Sequence, residues 1–153
     1  MKNSYIKFIL IAITNYPQLF MESSLLNIFK KTTYAVICAV TVNLFFIFIV
    51  KLFIHTPPTF SPFFYSFIAL YTALGVMGAG LVYLIIKKLT PNYHKIFTWV
   101  SIVALMLSLI PDIAMYMNPE PDDVGVTIPI VIILMLTHIF AAFIAVKTLT
   151  SKE

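Results

Sequence analysis

Apolar side chains run through this chain in four long blocks, and polar residues and prolines gather in the short stretches between them. The blocks cover about residues 32–54, 62–86, 96–116 and 127–146. Each is long enough, as a helix, to cross a hydrocarbon core of about 30 Å, which takes roughly 20 residues. The punctuation fits. Ser61-Pro62 reads as an N-cap followed by a first-turn proline, and Thr127 with Pro129 opens the last block in the same way. Pro57-Pro58 and Asn118-Pro119-Glu120-Pro121 are turn signals between blocks. The pattern predicts an all-α fold, an integral membrane, antiparallel four-helix transmembrane bundle spanning residues 32–147. Residues 1–31 form an N-terminal cytoplasmic or interfacial segment, and 148–153 a short tail.

Composition strengthens this reading. The chain is 61% hydrophobic and 10% charged, against roughly half and a quarter in soluble domains. In water there would be too few polar groups to cover the surface, so the lipid bilayer is the first partner. The single cysteine, Cys38, excludes an intrachain disulfide and a Cys-based zinc cage, and reads as a small buried hydrophobe.

All ten basic residues are lysines. Lys30 and Lys31 precede the first span, Lys87, Lys88 and Lys95 separate the second from the third, and Lys147 and Lys152 follow the fourth. The other two connections hold Lys51 alone and carry Asp112, Glu120, Asp122 and Asp123. The positive-inside rule therefore predicts both termini and the middle loop in the cytoplasm, with the protein in the cell membrane. Lysines that flank apolar runs do not make a phosphate-reading face, so no nucleic acid is expected. Trp99, Tyr93, Tyr65 and Tyr116 lie near span ends as interfacial anchors.

The opening "MKNSYIKFILIAITNYPQLF" has lysines and a short apolar core like a signal peptide, but Phe8 to Thr14 is too short to span. It is read as an interfacial helix ending at Tyr16-Pro17, or as residues ahead of a second start at Met21.

In lipid, small and polar residues mark the faces that meet other helices. Ala35, Ala39 and Asn43 share one face of span one, and Thr72, Gly75 and Ala79 one face of span two. Ser101, Ser108 and Asp112, with Ala104 beside them, align on span three, as do His138, Ala142 and Ala145 on span four. Counted from the nearest cytoplasmic lysine, Asn43 and Gly75 lie about 18 Å deep, Ser108 about 20 Å, His138 about 14 Å and Asp112 about 26 Å. The expected intramembrane polar cluster is Asn43, Thr72, Ser108, Asp112 and His138. Asp112 follows the helix-bending Pro111, near the outer boundary, where Lys51 is either its ion-pair partner or a snorkelling amine.

His138 is the ionisable group nearest mid-span, in the role of proton relay, hydrogen-bonding partner of a ligand, metal ligand, or a neutral imidazole tied to Asn43 or Ser108. The depth count puts it about 12 Å from Asp112, too far to share one reacting centre. His94 and His55 lie at opposite ends of the spans, so no metal and no cofactor is expected. Glu120, Asp122 and Asp123 lack the spacing and glycine of a calcium loop, and "GVMGAG" sits inside a span rather than after a strand. No catalytic residue is assigned.

Asn43, Thr72 with Gly75, "SLIPD" (Ser108 to Asp112) and "LTHIFAA" (Leu136 to Ala142) together resemble a family of small four-span prokaryotic membrane proteins known only as a domain of unknown function. The resemblance covers about residues 32–147; the lysine-only basic complement and the N-terminal extension depart from it. It implies the fold and topology and no activity. Three functions stand. The balance lies with a non-enzymatic protein, monomeric or weakly associating, whose polar band binds a small amphipathic ligand or fixes helix packing. The others are a small proton-coupled transporter, and a membrane enzyme acting on a lipid or isoprenoid.

Sidedness is directly testable. In intact cells a membrane-impermeant amine reagent is expected to leave Lys87 and Lys88 unlabelled, and to label both once the membrane is opened.

Overall fold

The computed structural model describes residues 2–54, 63–118 and 126–151, with side chains from Leu25 onward. The expected caps at Ser61-Pro62, the acidic turn Glu120, Asp122 and Asp123, and His55 lie outside the described residues. Five helices follow in order: α1 (Lys2–Phe53), α2 (Tyr65–Leu89), α3 (Tyr93–Ser108), α4 (Ile110–Met117) and α5 (Ile128–Thr150). Four crossings result, because α3 and α4 form one apolar rod of 25 residues from Tyr93 to Met117. The helix does not end at Tyr16-Pro17: α1 runs on through Pro17, which removes one backbone hydrogen bond without ending the helix. The break expected at Pro111 is present. Pro111 has no N–H for the carbonyl of Leu107, α3 stops at Ser108, and α4 restarts one residue later with the proline in its first turn.

The buried residues form stripes of helical period. On α1 they are Ile28, Ala35, Ala39, Asn43, Ile47 and Val50, and on α2 Ile68, Thr72, Val76, Gly80 and Tyr83. Most other large side chains face outward: Phe29, Tyr34, Phe45, Trp99, Met106 and Phe143 are all exposed. Water would not tolerate so continuous an apolar surface, whereas lipid tails solvate it.

Three layers stack along the bundle. At the lysine-bearing end Ile28, Tyr83, Phe97 and Leu149 close together. In the middle Ala35, Ala39, Val76 and Ala145 bring α1, α2 and α5 within small-residue distance. At the other end Ile47, Val50, Phe63, Ile68, Ile130, Ile133 and Leu134 form the largest layer. The middle layer takes nothing from α3. Helix α1 packs chiefly on α2 and α5, and α3 lies on the far side of that pair. The molecule is a tight three-helix unit with α3 and α4 leaning against it.

Glycines on α2 divide between two tasks. A methyl group built on Gly80 would overlap the Thr32 side chain, so glycine there lets α1 and α2 touch. Gly75 and Gly78 meet nothing within 4 Å. Gly75 was expected on the packing face with Thr72 and Ala79; it faces open space instead, because α3 stands off from α2 at that level. Polar ties finish the lysine-bearing end. Lys31 Nζ donates to the Ser151 carbonyl at 2.7 Å, placing a cation at the C-terminus of α5.

Overpacking one contact separates the two tasks. Gly80→Leu is expected to cost about 1–3 kcal/mol through its clash with Thr32, seen as a lower unfolding temperature in detergent, while Gly78→Ala is expected to leave that temperature unchanged.

Candidate functional site

The groups that lipid cannot satisfy fall into two sets. In the first, Asn43 is 1% exposed and lies between α1, α2 and α5. Its amide Nδ2 donates to Thr72 Oγ1 at 3.0 Å and to the Thr137 carbonyl at 3.1 Å. Thr137 turns its own hydroxyl back to the Leu134 carbonyl at 2.7 Å. One side chain thus binds three helices, through bonds worth about 0.6 and up to 1.7 kcal/mol each in membranes. Thr137 was not expected from the sequence. Its contribution here is a backbone carbonyl, which no residue type announces.

The second set lines a cavity. The space between α2, α3, α4 and α5 measures about 840 Å³, in the upper part of the range for small-molecule sites. Helix α2 supplies Phe67, Tyr71, Thr72, Gly75, Gly78 and Val82, and all but Thr72 of these are exposed. Ser101, Ala104 and Ser108 come from α3, Pro111, Asp112 and Met115 from α4, and Thr137, His138, Ala141 and Ala142 from α5. Small residues on three helices create the volume.

Helix α3 is held at its two ends and free between them. At the lysine-bearing end Phe97 is 1% exposed and packs edge-on against Tyr83, ring centres 5.0 Å apart. The Tyr83 hydroxyl also lies 3.5 Å from Nδ1 of His94, in the first turn of α3. At the other end Met115 packs on the large apolar layer, and Asp112 meets α5: its Oδ2 is 3.5 Å from His138 Nε2. Asp112 is 8% exposed, and this oxygen accepts no hydrogen bond among the described residues. The His138 side chain is 39% exposed, toward the cavity it lines.

Several sequence expectations change here. Asp112 and His138 are not about 12 Å apart in depth. Phe97 and Leu149 share one layer, and counted from them Asp112 is about 22 Å along and His138 about 16 Å, a difference side chains can bridge. Lys95 and Lys147 were unequal origins, the first lying before its layer residue and the second inside it. The two groups are therefore close enough to act on one atom. Lys51 does not pair with Asp112; its ammonium lies 4.3 Å from the centre of the Tyr65 ring, a cation–π contact at the helix end. Nor is His138 tied to Asn43 or Ser108. Asn43 is committed to Thr72 and Thr137, and Ser108 Oγ donates to the Leu105 carbonyl at 2.8 Å, within its own helix. Of the expected cluster, Thr72, Ser108, Asp112 and His138 line the cavity, while Asn43 stands behind its wall. No group of three metal-binding side chains occurs among the described residues.

Fold and site together define a multi-pass, all-helical membrane protein with a mostly apolar cavity and, among the described residues, one acid–imidazole pair. Residues 26–153 match the model of a family described as "Family of unknown function (DUF6069)", and the chain belongs to that family. No curated protein and no solved structure matches it.

A double-mutant cycle tests the pairing. Asp112→Asn and His138→Gln are expected to be non-additive in unfolding free energy by about 0.5–3 kcal/mol, as for groups in contact. Asp112→Asn with Lys51→Met is expected to be additive within about 0.5 kcal/mol.

Proposed function

We propose that this protein binds an amphipathic ligand, tail along the cavity between α2, α3 and α5, polar head at Asp112 and His138. One observation carries the reading: a space of about 840 Å³ whose walls are mostly apolar and small, with its carboxylate and its imidazole side by side at one end. Packing alone does not account for it. A cavity in a membrane bundle forfeits dispersion contacts that larger side chains would recover, yet Gly75, Gly78, Ala104, Ala141 and Ala142 leave the space open. Helix register has its own device in Asn43, on the opposite side of α2 and α5 from the cavity. With the lysine-bearing end toward the cytoplasm, the head would sit in the outer half of the cell membrane.

A proton-coupled carrier is the second reading, favoured by the 3.5 Å approach of the carboxylate and the imidazole. Ligand-driven acidification of proteoliposomes, abolished in His138→Gln, separates it from simple binding.

Filling the cavity tests the main proposal. Gly75→Leu and Gly78→Leu place side chains where a methyl group meets nothing within 4 Å. Both variants are expected to fold with unchanged thermal stability and to lose the amphiphile that accompanies the wild type through purification, read by native mass spectrometry. Retention of the same bound species in both variants would defeat the proposal.

A further inference from the structure

We infer that the cavity selects a long-tailed amphiphile with a neutral hydroxyl head over one headed by phosphate or by an amine. The inference rests on the binding role proposed above and adds the chemistry of the head.

Charge balance decides the class. Asp112 and His138 are the carboxylate and the imidazole that line the cavity, and Tyr71 adds a phenol. A buried carboxylate with no counter-charge is costly, so the 3.5 Å pair is best satisfied holding one proton between its members, net neutral wherever the proton sits. A phosphate brought to this point meets an imidazolium already opposed by its own carboxylate. An ammonium meets a carboxylate already opposed by its imidazole. The lysines cannot help: Lys51 is held over Tyr65, Lys87 lies over Tyr93 and Lys147 over Phe143, and none of the three lines the cavity. A hydroxyl suits the charged pair by donating to the carboxylate and accepting from an imidazole N–H, and it suits the uncharged pair by donating to an oxygen of the acid. Asp112 has that capacity to spare, being 8% exposed with Oδ2 unbonded among the described residues.

Shape argues for a long tail. From Asp112 the lining continues on α3 through Ser108, Ala104 and Ser101 to Phe97, a path of about 22 Å. That exceeds the half-thickness of about 15 Å available to an acyl chain in one leaflet. The space is a long cleft bounded by α2, α3 and α5.

The experiment compares heads on a constant tail. Full-length protein in a maltoside detergent is challenged with oleyl alcohol, oleyl phosphate and oleylamine, each competing against radiolabelled oleyl alcohol. The alcohol is expected to compete at least about tenfold better than either charged analogue, the difference of one well-made hydrogen bond. In Asp112→Asn the carboxylate that opposes an anion is gone, so the ratio of phosphate to alcohol affinity is expected to rise several-fold. If the phosphate or the amine competes as well as the alcohol with wild type, the head-group inference fails and the cavity reading stands. If the labelled alcohol does not bind, or binds Gly78→Leu as it binds wild type, both fail.

Discussion

Hydrocarbon gives one apolar helix no reason to leave lipid for another, so a bundle in a membrane depends on the few groups that lipid leaves unsatisfied. Here that burden falls first on the Asn43 amide. Its two donors reach a hydroxyl on α2 and a main-chain oxygen on α5, and the alanines one and two turns along the same face, Ala39 and Ala35, are fully buried. The hydrogen bonds require close approach, and the alanines and Gly80 permit it. Apolar layers above and below then pack at little cost, because the helices are already in register.

Helix α3 lies outside that arrangement and obeys a different logic. It contributes one buried residue, Phe97, whereas α2 contributes five. Aromatic rings fix one end, and an acid–imidazole contact with Met115 fixes the other. Between those anchors the facing side chains are too small to meet. The cavity is thus a product of where polar ties are placed as much as of which residues are small. A tie at mid-helix, such as Asn43 provides on the other flank, would have closed it.

Much of this was legible in the chain itself. Block length and lysine placement gave four crossings, and the four-residue spacing of Ala35, Ala39 and Asn43 identified the buried face of α1. Pro111 marked the α3–α4 break. What escaped the sequence shares a physical cause: it depended on relative height between helices, or on atoms common to every residue. Asp112 and His138 looked distant because flanking lysines make uneven rulers. Long amines reach an interface from several positions, so their Cα atoms need not lie level. Thr137 escaped because its carbonyl, not its side chain, is the partner of Asn43. Gly75 and Gly80 are chemically identical, and only the third dimension shows that one permits contact and the other leaves a void.

Consider finally that the void is walled at mid-helix by exposed α2 residues and capped at both ends. With those ends in the headgroup layers, its mouth would open sideways, into the bilayer plane rather than into water. Any occupant arrives by lateral diffusion from a two-dimensional solvent in which greasy molecules are already concentrated by partitioning. Retention consequently needs only a modest preference over neighbouring lipid tails, far less than extraction from the aqueous phase would demand. The same geometry makes ordinary bilayer lipid, and the alkyl chain of whatever surfactant is used to isolate the protein, the standing competitor for the space.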